Sequence, residues 1–457
     1  MGLWIELTYL AASVLFILGL KGLSHPETAR RGMILAEVGM LLAIVGTLLH
    51  REIISYEWII AGLIIGSLIG GAISIWVPMT AMPQRTALSH AFGALAASLV
   101  GVSEYYRHGT GELGTFKMTA LSLEVLLGGI TVTGSLMAFV KLQDWIRGTP
   151  ITYRGQNVFN MSLFIVTVGM FGYLIYDPSA HMLFYVMAGL AFVFGVLLVL
   201  PIGAADMPVV MSLMNSYAGL AAAATGFAIS NNVLIIAGTL DGFSGFILSI
   251  LMCRAMNRSI TNVLFGAFGA EVEASSAGAF GVMREVKAED IAVQLAYAGQ
   301  VTFVPGYGMA TAQAQHAVRE LANVLEARGV TVKYAIHPVA GRMPGHMNVL
   351  LAEANVPYSS LYDLEQINPE FSSTDVAVVI GANDVVNPDA RDNPKSAIAG
   401  MPILDVDKAR SVVVLKRGKG KGFAGIENPL FFKANTGMLY GDAKASLIKL
   451  TEAVQHA

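Results

Sequence analysis

Nine runs of apolar residues fill the first 258 residues of the chain, and each is about as long as a bilayer requires. A hydrocarbon core about 30 Å thick is crossed by about 20 residues of α-helix. The runs cover residues 3–22, 32–49, 58–77, 86–106, 119–141, 158–176, 181–200, 208–229 and 232–253. We therefore expect a polytopic α-helical membrane bundle of about nine transmembrane helices.

Charge content separates this bundle from the rest of the chain. The first 258 residues hold 12 Lys/Arg and 12 Asp/Glu, whereas the remaining 199 hold 17 and 20. The composition predicts a transmembrane domain over residues 1–258, a linker rich in Gly, Ala and Ser over residues 259–290, and a soluble domain over residues 291–457. The net charge of −3 argues against a nucleic-acid partner.

Basic residues in the loops predict the orientation of the bundle. If the N-terminus lies outside, nine Lys or Arg residues fall in the inside loops and three in the outside loops. The inside set is Lys21, Arg30, Arg31, Arg85, Lys141, Arg147, Arg154, Arg254 and Arg258, and the outside set is Arg51, Arg107 and Lys117. This distribution places the soluble domain in the cytoplasm.

Four ionisable residues stand out within the apolar runs, since an ionisable group costs about 3 kcal/mol or more at the bilayer centre. Glu37 and Glu124 are close enough to a helix end to reach interfacial water, which favours a structural role. Asp241 suits a buried structural hydrogen bond and a functional role equally. His90 can exchange a proton near neutral pH, because an imidazole titrates there, or it can simply donate a structural hydrogen bond.

Polar residues in other runs could share a path for protons with His90. They are Ser135 in the fifth run and Asn215 with Ser216 in the eighth. The third run instead carries Gly62, Gly66 and Gly70, and this four-residue repeat predicts a helix face that packs closely against another helix.

The soluble domain alternates strands and helices. Helices are predicted over residues 288–299, 310–329, 347–357 and 441–457, and strands over residues 301–304, 330–338, 375–384 and 411–420. Such alternation predicts an α/β, Rossmann-like domain with a parallel sheet covered on both faces.

Distinctive loops follow the predicted strands, at the sheet edge where such domains bind ligands. The first is Gly306-Tyr307-Gly308-Met309-Ala310, whose glycines permit a tight turn and close approach to a pyrophosphate. The second carries Arg342, which can bind phosphate oxygens, and the third covers residues 381–388. The fourth is the cationic run Lys416-Arg417-Gly418-Lys419-Gly420-Lys421.

The end of the second strand indicates which nucleotide is bound. A domain that selects NAD usually places Asp or Glu there, to bond the ribose 2′-hydroxyl. Here the strand ends in Ala335-Ile336-His337-Pro338, without an acid. The cationic run could instead hold a 2′-phosphate, so the sequence favours NADP(H).

Long segments of the chain resemble the beta subunit of the proton-translocating NAD(P) transhydrogenase. They include GYGMATAQAQH, HPVAGRMPGHMNVLLAEA, GANDVVNP, GMPILDV, NPLFFKANTGMLYGDAKAS and ADMPVVMSLMNSYAG. The resemblance implies hydride transfer between NAD(H) and NADP(H), coupled to proton passage across a bacterial inner membrane. It also implies that NADP(H) binds this chain in a reversed orientation. NAD(H) then binds a partner alpha subunit, or subunits, with further membrane helices, in a dimer of heteromers.

The resemblance also implies roles for individual residues of the soluble domain. The pyrophosphate and nicotinamide loop corresponds to Gly306, Tyr307, Gly308, Met309 and Ala310, and a second phosphate loop to Val339, Ala340, Gly341, Arg342, Met343 and Pro344. The turn beneath the nicotinamide ribose corresponds to Gly381, Ala382, Asn383, Asp384 and Val385, with Asp384 as the coupling acid. Lys416 and Arg417 match the 2′-phosphate clamp, whose loop continues through Gly418, Lys419, Gly420, Lys421, Gly422 and Phe423. Further cofactor contacts correspond to Gly400, Met401, Asp442 and Ala443.

In the membrane region, His90, Ser135 and Asn215 match positions of the family's proton path, and Asp206 matches a conformationally sensitive position. Two departures from the family pattern are visible in the clamp loop. Gly418 stands where the family usually has a serine, and Phe423 stands where it has a tyrosine. The charges and an aromatic cover are retained, so both changes bear on affinity for NADP(H) rather than on the reaction.

Two other classes of protein are consistent with parts of the sequence. A cation transporter or channel with a cytosolic nucleotide-sensing domain would usually show an acid after the second strand and a segment that coordinates ions; neither is found. A structural membrane subunit with a degenerate nucleotide fold would not need the cationic run.

Overall fold

The computed structural model describes residues 2–49, 56–108, 114–146, 150–203, 206–265, 281–394, 396, 398–418, 420, 422 and 424–457. The chain divides into two compact units. The first consists of Met1–Ile202 and Val210–Ser249, and the second of Gly203–Val209 and Ile250–Ala457.

Nine long helices in the described part of the chain correspond to the nine predicted runs. They are α1 Gly2–Gly22, α2 Pro26–Leu48, α3 Glu57–Trp76, α4 Met82–His108, α5 Thr115–Leu142, α6 Gln156–Tyr176, α7 His181–Val199, α8 Met207–Ala228 and α9 Asn232–Ala255. Each is long and apolar enough to cross a membrane. The predicted helical membrane bundle is therefore confirmed.

Helix α5 is, after α8, the most buried of the long helices, and α4, α6 and α7 pack against it. Small residues allow these helices to approach closely. A Cβ atom on Gly129 would lie 3.0 Å from the Cβ of Ala191, and one on Gly195 would lie 2.3 Å from the carbonyl oxygen of Ile130. Such contacts are typical of membrane helices, which associate through close backbone packing.

Lys141 stabilises the end of α7 from within the first unit. Its side chain is completely buried, and its ammonium group donates to the carbonyl oxygens of Val199 at 3.2 Å, Leu200 at 2.5 Å and Ile202 at 2.8 Å. The last carbonyl groups of a helix have no partners within the helix, and a cation also interacts favourably with that end of the helix dipole. Lys141, expected as a basic residue of an inside loop, therefore acts as a helix cap.

The glycine repeat of α3 does not pack as its sequence predicts. No residue of α3 is buried, and no atom of the described residues lies within 4 Å of a Cβ placed on Gly62, Gly66 or Gly70. The prediction of a close helix contact is wrong within the described part of the chain, because its other helices leave this face of α3 open.

The second unit contains a six-stranded parallel sheet. Its strands are β1 Gln300–Pro305, β2 Thr331–Ile336, β3 Leu361–Asp363, β4 Val376–Ile380, β5 Ser411–Lys416 and β6 Thr436–Tyr440, in the spatial order β3-β2-β1-β4-β5-β6. This is the order of a dinucleotide-binding fold, whose direction of winding reverses between β1 and β4. The predicted Rossmann-like sheet is confirmed, with two strands, β3 and β6, that the sequence had not predicted.

Eight shorter helices accompany this sheet. They are α10 Ile260–Phe265, α11 Ala288–Ala296, α12 Tyr307–Thr311, α13 Gln315–Ala327, α14 His346–Glu353, α15 Leu364–Ile367, α16 Asp389–Asp392 and α17 Ala443–His456. The predicted helix over residues 310–329 begins earlier and is interrupted. Gln313 has a φ of +49°, a left-handed conformation that a continuous helix cannot contain, so α12 and α13 are separate.

Part of the predicted linker belongs to the sheet. The amide of Val286 donates to the carbonyl of Met438 at 3.0 Å, and the amide of Met438 donates to the carbonyl of Arg284 at 2.8 Å. Glu285 thus forms a parallel bridge with β6. Residues 284–286 of the predicted linker therefore pair with β6, and residues 266–280 of the linker lie outside the described residues.

Candidate functional site

Two glycine loops meet where the winding of the sheet reverses. The amide of Gly306 donates to the carbonyl of Ile380 at 2.9 Å, and the amide of Gly308 donates to the carbonyl of Gly381 at the same distance. A Cβ atom on Gly306 would lie 2.5 Å from the backbone of Ala382. The predicted first loop and the predicted turn after β4 are therefore joined backbone to backbone, which leaves room for a ligand to reach main-chain atoms.

The second predicted phosphate loop, Val339–Pro344, follows β2 and contacts the first. Arg342 is only 6% exposed, and its guanidinium lies 4.4 Å from the centre of the Tyr307 ring. Gly341 has a φ of +110°, and a Cβ there would lie 2.5 Å from His346. The amide of Arg342 donates to Nδ1 of His346 at 3.2 Å, so the first residue of α14 fixes the loop.

His337, the residue after β2, joins this loop to the segment that contains Gly400 and Met401. Its Nδ1 accepts from the amide of Val339 at 3.2 Å, so the proton is on Nε2, which donates to the carbonyl of Pro402 at 2.7 Å. Burial lowers the pKa of His337 to about 4, and the bond to Pro402 opposes this shift. His337 is therefore a neutral, structural link between two predicted cofactor loops.

Gly400 and Met401 border an open cleft of about 610 Å³. Gly400 has a φ of +74°, and Asn257 lies directly against it, with its side-chain amide donating to the carbonyl of Ala399 at 3.0 Å. The remaining residues of the cleft come from segments 364–368, 390–394 and 399–405. Of the predicted cofactor residues, only these two line it.

The turn after β4 is braced by the segment that follows the cationic loop. The Asp384 carboxylate accepts from the amide of Ala424 at 2.9 Å, and a Cβ on Gly422 would lie 2.2 Å from that carboxylate. The side-chain amide of Asn428 donates to the carbonyl oxygen of Asn383 at 3.0 Å and to its side-chain oxygen at 3.1 Å. Asn428 is a bracing residue that sequence reasoning missed, although it lies in one of the quoted motifs.

The described cations of the predicted clamp are Lys416 and Arg417. Lys416 ends β5, contacts the Phe431 ring at 4.7 Å and donates to the carbonyl of Gly420. Burial lowers the pKa of Lys416, and the carboxylate of Asp384 opposes the shift, so the clamp and the turn after β4 interact electrostatically. Arg417 is exposed. The other clamp residues, Lys419, Lys421 and Phe423, lie outside the described residues.

Asp442 and Ala443 begin the last helix. The Asp442 carboxylate accepts from the amide of Ala445 at 3.1 Å and so caps α17. The preceding Gly441 donates its amide to the carbonyl of Lys416 at 3.1 Å. The end of β6 and the start of the clamp loop are therefore neighbours. This arrangement is compatible with the prediction that both contact the same cofactor.

In the first unit, the predicted proton-path residues lie on three helices. His90 on α4 lies near the Asn215 side chain on α8, although its Nδ1 has no hydrogen-bond partner among the described residues. The amide of Asn215 donates to Asp241 on α9 at 3.1 Å. Ser135 on α5 is completely buried, and the residue before it, Gly134, lies against Met214. The structure thus brings His90 and Asn215 together and adds Asp241 to them.

Asp206 forms an ion pair within the second unit. Arg258 donates to its two carboxylate oxygens at 3.0 and 2.9 Å. Burial raises the pKa of Asp206, and the charge of Arg258 opposes this shift. The pair joins the segment before α8 to the segment after α9.

A bundle of apolar helices and a parallel-sheet domain with glycine loops at its switch point define a membrane protein that binds a dinucleotide. The chain matches the family model for the NAD(P) transhydrogenase beta subunit over residues 5–453. It is 50% identical to the NAD(P) transhydrogenase subunit beta of Rhodospirillum rubrum, over 458 residues that cover 98% of each chain. The same values apply to that subunit from a named strain of the species. The chain belongs to the NAD(P) transhydrogenase beta subunit family, as its sequence motifs predicted.

Proposed function

We propose that this chain is the NADP(H)-binding, proton-translocating beta subunit of an NAD(P) transhydrogenase. Hydride passes between NAD(H) on a partner alpha subunit and NADP(H) on this chain, and the transfer is coupled to proton movement across the membrane. The observation that carries the proposal is the joined pair of glycine loops at the switch point of the sheet, in a chain that also contains the membrane bundle.

The residues of the soluble unit fit NADP(H). Gly306, Gly308 and Gly381 let the two loop backbones meet more closely than side chains would allow, which forms a backbone cradle suited to a pyrophosphate. We propose that this cradle and Arg342 hold the pyrophosphate, and that Lys416 with Arg417 holds the 2′-phosphate. Gly400, Met401, Asp442 and Ala443 complete the binding residues.

When bound, NADP(H) supplies the nicotinamide that carries the hydride. Transfer requires the donor and acceptor carbons to approach to about 3–3.5 Å. Because this chain contains one dinucleotide fold, the other nicotinamide must come from the alpha subunit. We propose a dimer of such heteromers in the bacterial inner membrane.

The domains and orientation proposed here follow from the charge distribution of the sequence. Residues 1–258 translocate protons, residues 259–290 link the two domains, and residues 291–457 bind NADP(H) on the cytoplasmic side. The N-terminus is outside, in agreement with nine basic residues in the inside loops and three in the outside loops.

We propose that His90, Ser135 and Asn215 carry the proton and that Asp384 senses it. A proton gained near His90 changes the position of the linker and thereby the nucleotide loops. The carboxylate of Asp384 accepts from the amide of Ala424, so protonation of Asp384 weakens that bond and loosens the turn beneath the nicotinamide ribose. The cation-transporter alternative is set aside, because no feature of the described residues favours it.

Binding to the purified full-length chain tests the nucleotide assignment. We expect NADPH to bind at least about tenfold more tightly than NADH, because only NADPH has a 2′-phosphate that Lys416 and Arg417 can bind. Equal affinities would contradict the proposal. With the alpha subunit in sealed vesicles, reduction of NADP⁺ by NADH should change the internal pH, and His90→Ala should abolish that change while leaving NADPH binding intact.

A further inference from the structure

Three helices of the first unit carry polar residues at two levels. His90 and Gly101 are 11 residues apart on α4, Glu124 and Ser135 are 11 apart on α5, and Asn215 and Thr225 are 10 apart on α8. These separations each correspond to about 16 Å along a helix.

Contacts align the two levels across the helices. Gly134 precedes Ser135 and lies against Met214, which precedes Asn215. The Asn215 side chain in turn lies near His90. At the other level, Glu124 contacts both Gly101 and Thr225. We name the set His90, Ser135 and Asn215 the first layer, and the set Gly101, Glu124 and Thr225 the second layer.

Glu124 is the ionisable group of the second layer, and it is completely buried. Its oxygen Oε1 lies 2.7 Å from the Thr225 hydroxyl, and its carboxyl group lies against Gly101. A Cβ on Gly101 would lie 3.0 Å from the carboxyl carbon, so only glycine lets α4 approach this closely. The expectation that Glu124 reaches interfacial water is therefore wrong within the described part of the chain.

The surroundings of Glu124 suit both of its protonation states. The Thr225 hydroxyl lies 2.7 Å from Oε1 of Glu124 and 3.0 Å from the carbonyl oxygen of Ala221, but it has a single proton to donate. When Thr225 donates to Glu124, the carboxylate is stabilised. When Thr225 donates to Ala221, Glu124 as the acid can donate its own proton to the Thr225 oxygen. Rotation of one hydroxyl therefore accommodates gain or loss of a proton.

Few other charged groups face Glu124. Glu104 on α4 contributes a carboxylate, and it is paired with Lys117 on α5 at 2.9 Å. The pair keeps the charge of Glu104 largely compensated, so the Thr225 hydroxyl is the principal polar neighbour of Glu124.

A buried hydroxyl lies between the two layers. Ser98 on α4 is 4% exposed, and a Cβ on Gly128 would lie 2.3 Å from its oxygen. Gly128 is one helical turn from Glu124 on α5, and Ser98 is about two turns from His90 on α4. No hydrogen-bond partner for the Ser98 oxygen occurs among the described residues. Ser98 thus places a buried hydroxyl group between the two layers.

We propose that Glu124 is a second proton-binding residue of the translocation path. One O–H bond forms when its carboxylate binds a proton, and Thr225 then turns toward Ala221. That O–H bond breaks when the proton leaves toward the first layer, and water molecules with the Ser98 hydroxyl pass the charge on, each accepting one proton as it gives up its own. This inference rests on the proposed function, because it extends the path assigned to His90.

The test compares variants of the complete complex in sealed vesicles. Glu124→Gln removes the exchangeable proton with little change of shape. We expect it to lower proton pumping and the coupled hydride transfer at least about tenfold, with unchanged NADPH affinity. Glu37→Gln makes the same change at an exposed position of α2 and should leave both rates within about twofold of the parent. Thr225→Val should lower pumping as Glu124→Gln does, whereas Thr225→Ser should retain it.

Infrared difference spectra give a readout that a purely structural role would not produce. A carboxylic-acid band that appears or vanishes with pH in the parent should be absent from Glu124→Gln. Pumping by Glu124→Gln within about twofold of the parent would overturn the inference. If Glu124→Gln does not assemble, equal pumping by Thr225→Val and Thr225→Ser would overturn it. Failure of the parent complex to pump would instead contradict the proposed function.

Discussion

The backbones of Gly308 and Gly381 are in direct contact at the switch point of the sheet. The amide of Gly308 donates to the carbonyl of Gly381 at 2.9 Å, and a Cβ on Gly381 would lie 2.3 Å from the Cα of Gly308. The absence of both side chains therefore sets the distance between the first nucleotide loop and the turn after β4.

Gly381→Ala should separate these loops. Gly381 has a φ of +63°, so alanine adds about 1–2 kcal/mol of backbone strain to the steric clash. We expect a lower thermal midpoint and a loss of NADPH affinity of at least about tenfold. Gly329→Ala is the control, because Gly329 has a φ of +85° but no atom of the described residues lies within 4 Å of its Cβ position. Equal NADPH affinity in the two variants, measured by titration, would show that the close contact is unimportant.

Lys416→Gln should weaken NADPH binding selectively. Loss of a charged hydrogen bond to a phosphate costs about 1.5–3 kcal/mol, or roughly a 10- to 150-fold increase in Kd. The Kd of NADH, which lacks the 2′-phosphate, should change little. Arg410→Gln is a matched control, because Arg410 precedes β5 at its opposite end and pairs with Asp375 at 2.7 Å. Calorimetric titration of the full-length chain with each nucleotide would distinguish a selective effect from a general one. A general loss would weaken the binding of both NADPH and NADH.

Gly418→Ser should strengthen NADPH binding. No atom of the described residues lies within 4 Å of a Cβ at Gly418, so a hydroxymethyl group fits. One added neutral hydrogen bond contributes about 0.5–1.5 kcal/mol, or a decrease in Kd of about 2- to 12-fold. Gly418→Ala tests whether any gain comes from a stiffer loop alone, and an equal gain in both variants would rule out the hydroxyl contact.

His337 should make the loop after β2 sensitive to acid. Its pKa of about 4 in the folded chain is below the ordinary value of 6.5, so the unfolded chain binds a proton more readily. Neutral His337 makes its full contribution to the free energy of unfolding above pH 6.5. This contribution, about 3 kcal/mol, is lost as the pH falls toward 4. Hydrogen exchange of the β2 and α14 amides at pH 7 and 5 measures the change. His337→Gln should flatten this dependence, whereas replacement of the exposed His456 should not.

The sequence predicts those features that depend on local pattern. The nine membrane helices follow from uninterrupted apolar length, and the strands β1, β2, β4 and β5 follow from short runs of buried β-branched residues. The glycine loops and Lys416 follow from their positions after strands. These signals lie within single segments, so one sequence suffices to find them.

Other features depend on contacts between distant segments. Strand β6 was missed because Gly437 lies within it and weakens the strand pattern, and its stability comes from pairing with β5. Asn428 gained its role only when folding placed it beside Asn383. Likewise, distance from a helix end suggested that Glu124 reaches water, whereas packing of α4 and α8 buries it.

The bridge between Glu285 and Met438 protects an edge of the sheet. An uncovered edge strand presents unpaired backbone groups that can template aggregation with another chain. Residues 284–286 cover part of β6 with two backbone hydrogen bonds. A soluble fragment that begins at residue 291 would expose this edge and associate through it, so a fragment intended to remain monomeric must begin before Arg284.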